Sequence, residues 1–156
     1  RIGLGSYVEC TLPIFEGLKD ARWQARFEVI SRTPLVIFDG AHNPEGIEKA
    51  VESVKFYFGT QKVLVLTGVM KDKNYRYIAE CLSEIAAAAL TITPDNPRAL
   101  DAAEYARVLQ DVGVNATAYA TPAEAVKAGK VLATEKNIPL VCLGSLYMYK
   151  EIADSI

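Results

Sequence analysis

The chain has one histidine, His42, one tryptophan and three cysteines in 156 residues. The cysteines, Cys10, Cys81 and Cys142, are odd in number and far apart. Metal ligation needs closer spacing and more histidine, so no metal site is expected. Cys81 and Cys142 stand in apolar stretches, which suits buried thiols in a reducing, cytoplasmic setting. There is no basic block or arm: 17 Lys and Arg are mixed with 19 Asp and Glu, for a formal net charge of -2. A nucleic-acid or polyanion partner is therefore not expected. No apolar run approaches membrane-spanning length, so a membrane partner is not expected either. Both glycine-rich phosphate signatures, G-x-x-x-x-G-K-[ST] and G-x-G-x-x-G, are missing. No nucleophile motif surrounds a serine and the cysteines lie in apolar surroundings, so no catalytic triad is expected. If the chain handles a nucleotide, something outside it must hold the phosphates.

What is present is a globular composition: 51% apolar and 23% charged residues, a length suited to one domain. Nothing demands more than a monomer. The sequence starts at Arg1 rather than Met, which suggests a piece of a longer protein. Gly3, Gly5, Pro13 and Gly17 interrupt any long period, so residues 1–25 read as a connector from a preceding domain and 26–156 as the domain itself.

From Phe27 the pattern is regular. Phe27–Ile30 and Leu35–Phe38 are spaced as a hairpin. Ile47, Ala50, Val51, Val54 and Phe58 share one helix face. Val63–Met70 is apolar on both faces, as a strand covered by helices would be. Ile78, Cys81, Leu82, Ile85 and Ala89 form a second helical stripe, followed by a strand at Ala89–Thr93. Tyr105, Val108, Leu109 and Val112 make a third stripe, and Asn115–Ala120 a weak strand. Thr121, Pro122 and Glu124 signal a capped helix start. Pro139–Gly144 is a last buried strand, with a short closing helix over Leu146–Ile152. The alternation predicts a Rossmann-like α/β sheet, mostly parallel, with one antiparallel hairpin at its start and helices on both faces.

In such sheets ligands bind beyond the carboxyl ends of the strands. Four of the expected strand exits carry suitable groups: Asp39, His42 and Asn43; Lys71, Asp72 and Lys73; Asp95, Asn96 and Arg98; and Ser145. Each also has a purely structural reading. Asn43-Pro44 is a good helix start, Gly40 a tight turn, Asn96-Pro97 an ordinary turn and Ser145 a possible cap. A short loop has no structural need for a histidine, which favours a binding role for Asp39 with His42.

These residues carry a resemblance. The chain is similar to the C-terminal domain of folylpolyglutamate synthase, including its bifunctional dihydrofolate synthase forms, within the Mur ligases. Gly17–Ile30 looks like that family's lead-in segment, and Asp39-Gly40-Ala41-His42-Asn43-Pro44 like its D-x-A-H-N-P signature. Gly68–Asn74 resembles its G-x-x-x-D-K-[DN] loop, and Gly144–Met148 its closing G-S-x-Y. Where the family commonly has Pro-Gly before an arginine, this chain has Gln24-Ala25 before Arg26.

The resemblance implies an ATP-dependent ligase that joins the amine of L-glutamate to a folate carboxylate through an acyl phosphate. An N-terminal ATPase domain would carry the phosphate loop and the Mg2+ ligands. Arg26, Asp39 and His42 would contact ATP. Lys73 and Ser145 would meet glutamate carboxylates or the transferred phosphoryl group, and Arg98 would grip a glutamate carboxylate. Alone, the chain would be folded but inert. A Mur-type ligase acting on a cell-wall precursor, and a non-catalytic nucleotide-binding module, are the alternative readings.

Overall fold

The computed structural model describes residues 25–156. All but the last residue of the expected connector over 1–25 lies outside the described residues, as does Cys10.

Six strands form one sheet in the order β1-β2-β6-β3-β4-β5. The strands are β1 (Glu28–Arg32), β2 (Leu35–Asp39), β3 (Val63–Thr67), β4 (Ala86–Thr91), β5 (Ala116–Ala118) and β6 (Leu140–Leu143). β1 runs antiparallel to β2, and every other neighbouring pair is parallel. The helices are α1 (Pro44–Phe58), α2 (Tyr75–Ser83), α3 (Ala102–Asp111), α4 (Pro122–Lys136) and α5 (Tyr149–Asp154), with a 3-10 turn at Leu146–Met148. The expected mixed α/β sheet with an opening hairpin and helices on both faces is therefore observed.

The central strands are apolar throughout because both of their faces are covered. Successive residues alternate between two cores. Leu35, Ile37, Val63, Val65, Val141 and Leu143 pack with α1, α2 and α3. Val36, Phe38, Leu64, Leu66, Leu140 and Cys142 pack with α4 and α5. Cys81 and Cys142 are buried free thiols.

Local chemistry sets the helix ends. Asn43 adopts extended backbone and accepts from Gly46 N–H at 2.7 Å, so it caps α1 while Pro44 opens the helix. Thr121 caps α4 in the same way, accepting from Glu124 N–H at 3.2 Å.

Several boundaries differ from expectation; β1, for example, runs Glu28–Arg32 rather than Phe27–Ile30. β3 ends at Thr67 rather than Met70, and Gly68 after it lies against the β4 exit, where a Cβ would stand 2.6 Å from Ile92 O. β4 begins at Ala86, so the stretch read as the tail of a helix is strand. Alanine favours helix, but the sheet supplies partners, with Val63 N–H donating to Ile85 O and Ala89 N–H to Asn115 O, both at 2.9 Å. The closing helix is split, with the 3-10 turn leading into α5 at Tyr149.

Candidate functional site at the carboxyl edge

The parallel strands all end at one edge, and the strand order lines up their exits. The β2 exit (Asp39 to His42) stands beside the β6 exit (Gly144 and Ser145). Next come the β3 exit (Gly68 to Lys73) and the β4 exit (Asp95 to Arg98). Three strand intervals separate the outer two, roughly 14 Å. The helices after β2 and β3 pack on one face while α5, after β6, packs on the other. The β6 exit is thus a switch point, where such sheets open a crevice.

At the first exit the chain makes a polar hollow of about 260 Å³, lined in part by Arg26, Asp39, Asn43, Glu45 and Lys49. Arg26 is exposed. Asp39 is only 9% exposed, and both of its oxygens are engaged: Oδ2 accepts from Phe27 N–H at 3.0 Å and Oδ1 from Ala41 N–H at 2.8 Å. Asp39 therefore ties the Arg26 turn to the loop that carries His42. Burial raises its pKa above the usual 3.8, opposed by the two N–H donors and by the nearby Arg26 guanidinium. His42 is half-buried, and its Nδ1 lies 2.8 Å from Gly40 O. A carbonyl can only accept, so Nδ1 carries the hydrogen and the neutral ring keeps Nε2 as an acceptor.

Ser145 is 2% exposed, and its oxygen accepts from Tyr147 N–H at 3.2 Å, capping the 3-10 turn. The residue before it closes the edge. Gly144 has φ +120°, and a Cβ there would meet Gly68 O and Thr67 Oγ1 at 2.7 Å, so only glycine fits. Its N–H donates to Ala41 O at 2.9 Å, which joins the β6 exit to the His42 loop.

Lys73 and Arg98 lie on the two neighbouring loops, which are stitched together by a Met70–Ala99 bridge and by Lys71 N–H donating to Arg98 O at 2.8 Å. Arg98 Nη1 contacts Asp72 Oδ2 at 3.0 Å. That pair is exposed and so of small energetic weight, which leaves the guanidinium open to exchange for another carboxylate.

The structure thus gathers Arg26 and Asp39 into one hollow, sets His42 beside it, and keeps Lys73 and Arg98 apart at the far exits. Lys49 was not anticipated, although Asn43, Gly46, Lys49 and Ser53 form a polar stripe at helical spacing beside the apolar one. Glu28, discussed below, was also not anticipated and carries no sequence signal of its own.

The profile of the family described as Mur ligase, glutamate ligase domain, matches residues 25–146. The chain belongs to that family. The folylpolyglutamate synthase of Lacticaseibacillus casei is 33% identical over 148 residues, covering 92% of this chain and 32% of the relative. The crystal structure of folylpolyglutamate synthase from Thermotoga maritima superposes with a TM-score of 0.71 at 28% identity, covering 89% of this chain and 32% of that one. The Mycobacterium tuberculosis folylpolyglutamate synthase, complexed with ADP and AMPPCP, superposes with a TM-score of 0.78 at 20% identity, covering 89% of this chain and 33% of that one. The chain thus spans about a third of the length of these relatives. The glutamate ligase domain fold agrees with the sheet and helices described above.

Proposed function

We propose that the chain is the C-terminal domain of an ATP-dependent ligase that adds L-glutamate to folates through an acyl phosphate. The reading rests on one observation: an exposed arginine and a buried carboxylate share a polar hollow beside the histidine loop, in a domain whose relatives are named folylpolyglutamate synthases. Residues 1–25 are proposed as the connector from the protein's own N-terminal ATPase domain.

The hollow's chemistry fits a nucleotide. Arg26 and Lys49 are cations suited to phosphate oxygens. His42 offers Nε2 as an acceptor to a nucleotide hydroxyl or amine. Asp39 holds these groups together, because its oxygens already serve two backbone N–H groups. Lys73 and Arg98 are proposed for the glutamate carboxylates, Arg98 by releasing Asp72. Ser145 is proposed to shape the turn between the His42 loop and Tyr147. Among the described residues no group of three or more His, Cys, Asp or Glu could hold a metal ion. The Mg2+ that phosphoryl transfer uses is assigned to the ATPase domain. ATP supplies the activating phosphoryl group, and this chain's residues bind, orient and exclude water around the joined domains.

The test is ADP release by the full-length protein given ATP, magnesium, L-glutamate and either dihydropteroate or tetrahydrofolate. Release that requires both glutamate and a pteridine acceptor is expected, and Arg26→Ala or His42→Ala should raise KM for ATP about tenfold. Release that requires neither, or unchanged kinetics in both variants, defeats the reading. Activity only with a cell-wall precursor as acceptor would move the chain to the other branch of the Mur ligases.

A further inference from the structure

The turn that presents Arg26 is strained. Ala25 and Phe27 have φ of 60° and 44°, a region that residues with a Cβ adopt only when their surroundings force it. The forcing contacts are specific. Ala25 O accepts from Gly40 N–H at 2.7 Å, Phe27 N–H donates to Asp39 Oδ2 at 3.0 Å, and Ala25 N–H donates to Glu28 Oε2 at 2.8 Å. The flanking side chains are buried in opposite cores, Phe27 with its ring stacked 5.4 Å from Tyr57. Arg26, between them, is left to face the hollow.

Two of the three anchors come from the β2 exit. The third, Glu28, comes from β1 and carries another bond: its Oε1 accepts from the Tyr149 hydroxyl at 3.2 Å. Tyr149 opens α5 and meets the Phe38 ring edge-on at 5.0 Å. One carboxylate therefore connects the C-terminal helix to the arginine turn.

We infer that Glu28, oriented by Tyr149, is a positioning residue that holds the Arg26 turn in its left-handed form and fixes the guanidinium in the hollow. It does not line the hollow itself. Its kinetic consequence rests on the nucleotide role proposed for Arg26, whereas its geometry does not.

In the full-length protein, Glu28→Ala should raise KM for ATP about tenfold with kcat within about twofold. Glu28→Gln should stay within about twofold of wild type, because the amide oxygen keeps the Ala25 bond and the NH2 donates to the Tyr149 oxygen. The double variant with Arg26→Ala should be no worse than Arg26→Ala alone, since one residue acts through the other. Hydrogen exchange at the Gly40 amide, which donates to Ala25 O, should quicken in Glu28→Ala and not in Arg26→Ala. Effects that multiply in the double variant, or Gly40 exchange as slow as in wild type, overturn the inference. If Arg26→Ala leaves KM for ATP untouched while Glu28→Ala quickens Gly40 exchange, the nucleotide reading fails and the positioning role stands. Should Glu28→Ala not fold, Tyr149→Phe keeps the Ala25 bond and the Phe38 contact, and the same comparisons apply to it with smaller effects expected.

Discussion

Asp39 illustrates how one side chain can hold a candidate site together through backbone groups alone. Its two oxygens hold the Phe27 and Ala41 amides. Asparagine can accept at one of those places only and would turn an NH2 toward the other donor. Asp39→Asn should therefore lower the unfolding free energy by about 1–3 kcal/mol, read from a denaturant melt near neutral pH. The pH dependence has a definite sign. Burial raises the folded-state pKa above 3.8, so the folded protein holds this proton more tightly than the unfolded chain. The stability that proton contributes is full below 3.8 and is lost as pH rises through the folded value. The margin of wild type over Asp39→Asn should be largest in acid and shrink toward neutral pH, and a flat margin would argue against the raised pKa. At this scale the sequence was readable where chemistry is local. Asn43 caps α1 as Asn-Pro spacing predicts. The bonds of Asp39 to Phe27 and of Glu28 to Tyr149 were not readable, because only the fold brings those partners together. The departure at Ala25 was visible, but that it falls at a left-handed position was not.

Among the elements, α4 is fastened by an absence of side chain. A Cβ on Gly129 would stand 2.8 Å from Leu140 Cδ2, and Leu140 lies fully buried in β6. Helix propensity alone favours Gly129→Ala by roughly 0.5–1 kcal/mol. Overpacking a filled core costs about 1–3 kcal/mol, and it should prevail. The variant is therefore expected to be less stable by on the order of 1 kcal/mol in thermal or denaturant unfolding. A gain instead would mean that Leu140 moves aside freely. Asn43→Ala should cost about 1 kcal/mol through the lost cap on α1. Helices with strong apolar stripes were legible because burial and period agree. The Ala86–Ala89 segment was misread because alanine carries no β signature, and only the neighbouring strands' open hydrogen bonds pull it into the sheet. The weak strand over Asn115–Ala120 shrank to Ala116–Ala118, an edge strand with a single neighbour.

For the whole molecule, the common carboxyl edge was inferred from strand–helix alternation, and it holds. The insertion of β6 between β2 and β3 was not legible, because no local pattern records which strands become neighbours. That insertion puts Gly144 against the His42 loop and makes the switch point. On the proposed nucleotide reading, the edge supplies only part of the site. Its hollow offers two cations, Arg26 and Lys49, of which Lys49 already leans on Glu52 at 3.3 Å. The chain has no phosphate loop, and it spans about a third of its relatives. A few exposed contacts yield little affinity once the loss of ligand freedom is subtracted. Titrating ATP into the isolated chain should therefore give a Kd on the order of 1 mM or weaker, and the same chain should release no ADP from ATP. A micromolar Kd would instead make the hollow a complete nucleotide site and favour the nucleotide-binding-module reading. Weak binding here together with robust, acceptor-dependent ADP release by the full-length protein would locate the missing affinity in the joining of two domains. Arg26 could then be tested from one side of that junction.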